Sequence, residues 1–235
     1  MQLVRVVPFT FWWFVIIIAC FSLAAGMLIA GKKISDDWNK RILTFVGVGM
    51  LLDLFFMEGY LLYNELFAMS VSLPLAYCSI MEIFAIFAAI FKSKRCFEFV
   101  LFFGITGPLQ AFLAPAEVVR GEEYIIVDYF LAHGLTIFIP IYMAVCMGFC
   151  PRKGSIFKVI FGMEVIAGFV YLINKELGAN YMYLIEKPEV SHILNVGVWP
   201  YYLLNWHIYL YCVAGCINGI FLFNRYLDKK TTGCL

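Results

Sequence analysis

The stretch PFTFWWFVIIIACFSLAAGMLIAGKKISDD, residues 8–37, decides how the whole chain is read. Residues 8–30 carry no charged side chain, and Lys32, Lys33, Asp36 and Asp37 follow directly. An α-helix needs about 20 mostly apolar residues to cross the hydrocarbon core of a bilayer. A secretory leader has a shorter apolar run, basic residues ahead of it, and a small-x-small cleavage site behind it. Here the run is too long and the basic pair comes after it, so it reads as a retained transmembrane helix.

The same pattern recurs along the chain. Apolar stretches at 43–63, 69–91, 97–113, 124–147, 156–173 and 199–223 are separated by charged or turn-rich connections. Hydrophobic residues make up 63% of the 235 positions and charged residues 14%. A soluble domain carries roughly a quarter charged residues, so this surplus of apolar surface needs lipid as part of its solvent. The expected fold is an all-α polytopic membrane protein: one transmembrane domain over residues 1–235, built as a bundle of seven helices. A net charge of +1 points to no nucleic-acid partner.

Lys and Arg near the helix ends set orientation. Of the 17 in the chain, 13 fall in the connections after the first, third and fifth runs, counting Lys158 at the edge of the next run, and in the C-terminal tail. The remaining 4 fall on the other side. That asymmetry predicts an N-terminus outside and a C-terminus in the cytoplasm. The longest outside connection, 174–198, is rich in tyrosine and reads as a lid on the membrane surface. The pairs Cys146/Cys150 and Cys212/Cys216 have helical spacing, but no histidine or carboxylate completes a metal site. Neither a metal, a cofactor nor a disulfide framework is expected.

Ionisable groups inside hydrocarbon cost at least about 2.5–3.5 kcal/mol at a helix centre, so they mark function first. At about 1.5 Å per residue, Cys78 and His133 both fall about 13 Å below the outer surface, with Glu82 one turn deeper than Cys78. Asn205 and His207 fall about 9–12 Å in, and Asp53 about 15 Å. Glu58 lies above Asp53, Gln110 near the outer end of the fourth helix, and Glu164 in the inner half. The shared layer predicts a cavity in the outer half of the bilayer. A thiol beside an imidazole can act as nucleophile and base, with Glu82 or Asp128 orienting the ring. The structural alternatives are a packing cysteine, a bridging histidine and a buried carboxylate cluster of Asp53, Glu58 and Glu82.

Five segments carry a family resemblance. Residues Leu73-Pro74-Leu75-Ala76-Tyr77-Cys78-Ser79 resemble the LPLHLC motif of the YwaF-like integral membrane proteins, with Ala76 near the position of the relatives' histidine. Residues Phe103 to Ala111 with Pro115, the Ala132-His133-Gly134 step, Asn180 to Leu184 with Lys187-Pro188, and Trp199-Pro200-Tyr201-Tyr202 are similar to further motifs of that family, in order. The family includes relatives of the vertebrate transmembrane protein 164, an acyltransferase that builds ether phospholipids. The resemblance implies a lipid acyltransferase in a bacterial cell membrane, with Cys78 and His133 as its catalytic pair and a phospholipid or lysolipid as its partner. Glu82, Gln110, Asn180, Tyr181, Asn205, His207 and Asp53 are the expected substrate-binding residues. A transporter or a seven-helix sensor binding a small ligand in the same cavity remains the alternative.

Overall fold

A computed structural model describes residues 3–4, 9–113, 118–119, 123–188 and 193–228. Arg5, Arg120, Lys229 and Lys230 of the charge count, Pro115 of the motif and Cys234 lie outside them. The described chain is all-helical apart from one two-residue antiparallel ladder, Leu3–Val4 with Val118–Val119. The helices are α1 (Phe11–Gly31), α2 (Asp36–Tyr63), α3 (Tyr77–Phe91), α4 (Lys94–Phe99), α5 (Thr106–Leu113), α6 (Glu123–Met147), α7 (Ser155–Leu177) and α8 (Tyr201–Asp228).

Six stretches are long and apolar enough to cross a membrane: α1, α2, the combined α4–α5 run, α6, α7 and α8. α3 is a shorter apolar helix. The expected third run, 69–91, therefore loses its first turns, for one reason in the local sequence and one at long range. Pro74 disfavours helical backbone at Leu73 and cannot donate a helical hydrogen bond. Ser72 Oγ accepts from Ala68 N–H at 3.0 Å instead, and the Tyr181 hydroxyl accepts from Leu73 N–H and donates to Met69 C=O, both at 2.8 Å. Hydropathy alone does not separate this folded-back segment from the helix behind it.

The fourth run is also altered. Between α4 and α5 the backbone widens into a π-turn at Val100–Gly104. Pro108 has no N–H for the Gly104 carbonyl and its ring would crowd that oxygen, so the chain winds wider just before it.

This broken helix forms the centre of the molecule. Phe97, Val100, Phe102 and Phe103 are buried against Met81, Ala85 and Ala89 of α3 and Phe138, Ile139 and Met143 of α6. Gly47 lets α2 approach α3 closely, since a Cβ there would stand 2.8 Å from Ala89 Cβ. α1 and α8 bury few of their residues and turn large apolar side chains outward, as lipid-facing helices do.

Two polar clusters tie one end of the bundle. The Asn39 amide donates to Gly31 C=O at 3.1 Å and Cys146 C=O at 3.3 Å, and accepts from the Tyr142 hydroxyl. Glu98, 1% exposed, takes three contacts from the Arg152 side chain and one from its backbone N–H. Lys92, in the α3–α4 turn of this end, donates to Thr44 Oγ1 at 2.6 Å, and burial followed by the Lys40 ammonium lowers its pKa. Cys150 is disulfide-bonded. It lies beyond the end of α6, in a connection, while the six free cysteines among the described residues sit in helices.

At the opposite end, Gly178 closes α7 in left-handed conformation at φ +61°. The connection after it folds over the bundle. Asn174 grips the Tyr181 backbone twice at 2.9 Å, and Trp199 Nε1 donates to Leu184 C=O at 3.0 Å.

Candidate functional site

α3 begins one residue before Cys78. Its first backbone bond runs from Ile80 N–H to Ala76 C=O, so the N–H groups of Tyr77, Cys78 and Ser79 precede the helical ladder. The start of α3 is held by Tyr77, whose hydroxyl donates to Phe103 C=O at 2.8 Å and lies 3.1 Å from Thr106 Oγ1. The π-turn thus anchors the residue next to the thiol.

Gly107 completes that seat. A Cβ at this position would stand 2.4 Å from Tyr77 Cε1 and 3.6 Å from Cys78 Sγ. Gly107→Ala must therefore push the Tyr77 ring aside, and overpacking of this kind costs about 1–3 kcal/mol. The expected result is a lower melting temperature together with loosened geometry at Cys78. A variant with the wild-type melting temperature would show that α5 can slide away from α3.

Cys78, Ser79 and Glu82 from α3, Pro108 from α5, and Ala132, His133 and Thr136 from α6 line one cavity of about 40 Å³. Helical spacing explains the membership: Cys78 with Glu82, and His133 with Thr136, are neighbours on one helix face. The cavity suits a water or a single carbonyl group and is too small for an acyl chain. His133 Nδ1 lies 2.6 Å from Tyr129 C=O. A carbonyl can only accept, so Nδ1 carries the proton and Nε2 is left as the base. The Tyr129 ring packs on the imidazole with centroids 4.3 Å apart. Among the described residues no hydrogen bond joins the Cys78 thiol directly to the ring.

Near the cavity, the carboxyl groups of Asp53 on α2, Asp128 on α6 and Glu82 on α3 lie close enough to interact electrostatically. Among the described residues no group of His, Cys, Asp and Glu is arranged to hold a metal ion.

The remaining expected site residues are dispersed. Gln110 donates from Nε2 to the Tyr209 hydroxyl at 2.8 Å, linking α5 to α8. Asn205 donates to Val196 C=O at 2.9 Å and Leu194 C=O at 3.4 Å. His207 Nε2 lies 3.3 Å from Glu164 Oε1, which also accepts the Tyr211 hydroxyl, so these three form a separate group between α7 and α8. Asn180 holds its own loop through Ile185 N–H, Glu186 N–H and Glu186 C=O. Tyr181 is buried in the network that ties residues 69–73 to the loop. Tyr183, in left-handed backbone at φ 52° like Met182 before it, accepts the Tyr202 hydroxyl at its carbonyl.

Sequence reasoning missed Ser79, Thr136, Pro108 and Tyr77 as parts of this site. Thr136 was accessible from its i+3 spacing to His133; the others depend on the π-turn. A model of the TMEM164 family matches residues 6–217. No curated protein and no solved structure matches the chain.

Proposed function

Because the chain belongs to the TMEM164 family of membrane proteins, we propose that it is a lipid acyltransferase working through a thioester on Cys78. The observation that carries this reading is the cavity shared by the Cys78 thiol and a His133 ring whose Nδ1 is bonded to Tyr129 C=O, which in the neutral ring leaves Nε2 as the base. His133 takes the thiol proton as sulfur attacks the carbonyl carbon of an ester lipid. The C–S bond forms, the C–O bond breaks, and the departing lysolipid oxygen receives the proton from His133. A hydroxyl of the acceptor then attacks the thioester, passing its proton through His133 back to sulfur as the C–S bond breaks. The free N–H groups at the start of α3 suit the oxyanion that develops in both steps.

The proposed chain crosses the membrane seven times, with α3 and the folded-back residues before it sharing one crossing. Its N-terminus is outside and its C-terminus in the cytoplasm of a bacterial cell. In support, Lys40 and Lys92 approach one another, and Arg225 donates to Pro151 C=O, so the basic connections gather at one end.

Purified protein incubated with phospholipid and lysolipid is expected to exchange acyl chains and to carry an acyl adduct that neutral hydroxylamine removes. Exchange without any adduct overturns the thioester, and neither exchange nor adduct overturns the enzyme. The Asp53–Asp128 pair beside Glu82 favours one second reading, a proton-coupled carrier. Solute uptake into vesicles that persists in Cys78→Ala would select it.

A further inference from the structure

We propose that Tyr129 is a positioning residue that serves His133 twice: its carbonyl orients the neutral imidazole, and its ring face stabilises the imidazolium that forms when His133 takes the thiol proton. The proposal rests on the acyl-transfer reading. Tyr129 and His133 stand four residues apart on α6, so their side chains meet on one helix face. The Tyr129 carbonyl lies 2.6 Å from His133 Nδ1, and the two ring centroids lie 4.3 Å apart at 39°. Among the described residues, edge-on ring pairs stand 4.8–6.4 Å apart, so this closer pair overlaps through a face. An aromatic face attracts a cation within about 6 Å of its centroid. The neutral imidazole gains little from that face and the imidazolium gains much, so the contact strengthens as the proton moves.

His207 shows that the two halves of the contact are separable. Its Nδ1 lies 2.6 Å from the carbonyl of Leu203, also four residues earlier, and the Tyr211 ring meets it edge-on at 5.7 Å. The carbonyl bond therefore forms with leucine at that position, and Tyr129→Leu removes the ring face while leaving the bond. Other titratable groups stand around His133. Cys78 and Glu82 of α3 line the same cavity, and Asp53 of α2 and Asp128 of α6 interact with Glu82. Cys20 of α1 packs against the same apolar cluster as Tyr129. The π-turn and α5 carry no titratable side chain. All of these groups remain in the Tyr129 variants, so a change in them reports the ring.

Acyl transfer by the full chain is followed against pH in Tyr129→Leu, in Tyr129→Phe, and with trifluorophenylalanine at position 129, whose fluorines drain the ring face at nearly constant size. Tyr129→Leu should lower the plateau rate by about three- to thirtyfold, the span of one cation–π contact. The acid limb of its profile should move about 0.5–1.5 pH units lower, at one unit per tenfold. Tyr129→Phe should recover most of that loss, and the fluorinated ring should lose it again at the melting temperature of Tyr129→Phe. An unmoved limb in Tyr129→Leu, or equal rates and limbs for the plain and fluorinated rings, would overturn the proposal. The comparison of those two rings decides even where Tyr129→Leu does not fold. Histidine NMR adds a readout free of turnover. The His133 signal, assigned by its loss in His133→Gln, should titrate at lower pH with leucine or the fluorinated ring, while the His207 signal stays in place. That shift without acyl transfer by the wild type removes the chemistry alone, and transfer without the shift removes the role of the ring alone.

Discussion

Cys78→Ala is expected to bring acyl transfer to background and to abolish the protein-bound adduct, while His133→Ala lowers transfer by about a hundred- to ten-thousandfold, the usual contribution of a positioned general base. The two losses have different origins. Without sulfur no covalent intermediate forms, whereas without the imidazole a thiol remains but gives up its proton slowly. The base is defined by one bond, Nδ1 to Tyr129 C=O at 2.6 Å, which fixes the tautomer of the neutral ring and leaves Nε2 as its basic nitrogen, in a residue that lines the cavity. Cys78→Ser tests the chemistry more finely. A hydroxyl is a poorer nucleophile and forms an oxygen ester, so any residual adduct should resist neutral hydroxylamine. The readouts are lipid mass spectrometry for exchange and intact-protein mass for the adduct. Cys78→Ala protein turning over at the wild-type rate, or His133→Ala losing less than about tenfold, would dissolve the pair as a catalytic unit.

Much of the fold was legible because lipid imposes a simple rule: a long apolar run must bury its backbone polar groups in its own helix. Residues 8–37 show that rule at its clearest. It failed where long-range contacts decide. Residues 69–76 are as apolar as a helix, yet Pro74 and a tyrosine more than 100 residues away hold them folded back. The π-turn before Pro108 follows from one missing N–H that periodicity does not register.

The site was legible in depth but not in direction. Cys78, His133, Asn205 and His207 were all assigned to one layer, and the cavity holds the first two of them. His207 turns toward Glu164 on α7, and Asn205 caps carbonyls of the preceding loop. Counting residues along a helix gives height. The azimuth comes from packing, here from Gly107 against Tyr77 and from Tyr77 against the π-turn.

Arg152→Ala tests the opposite end of the molecule, and the expected loss is about 3 kcal/mol, the lower edge of the 3–5 kcal/mol that breaking a buried pair costs. Glu98 is 1% exposed, and the Arg152 side chain supplies contacts at 2.6, 2.9 and 3.2 Å. Removing it strands a carboxylate away from water. Two features hold the cost to the lower edge. The Arg152 backbone N–H, 2.6 Å from Glu98 Oε1, survives the substitution, and the arginine side chain is itself 44% exposed, so water stands close by. For a chain of this size the melting temperature should fall by roughly 6–12 °C, at about 2–4 °C per kcal/mol. The double variant Glu98→Gln with Arg152→Ala should recover part of that loss, because no uncompensated charge remains. Acyl transfer measured well below the melting point should stay near wild type, since neither Glu98 nor Arg152 lines the cavity at Cys78. A melting temperature within about 1–2 °C of wild type for Arg152→Ala, less than 1 kcal/mol on the same scale, would mean that Glu98 finds a second partner or reaches solvent. The link between α4 and the α6–α7 connection would then rest on the Arg152 backbone contact and apolar packing such as Phe97 against Phe149, whose rings lie 5.5 Å apart.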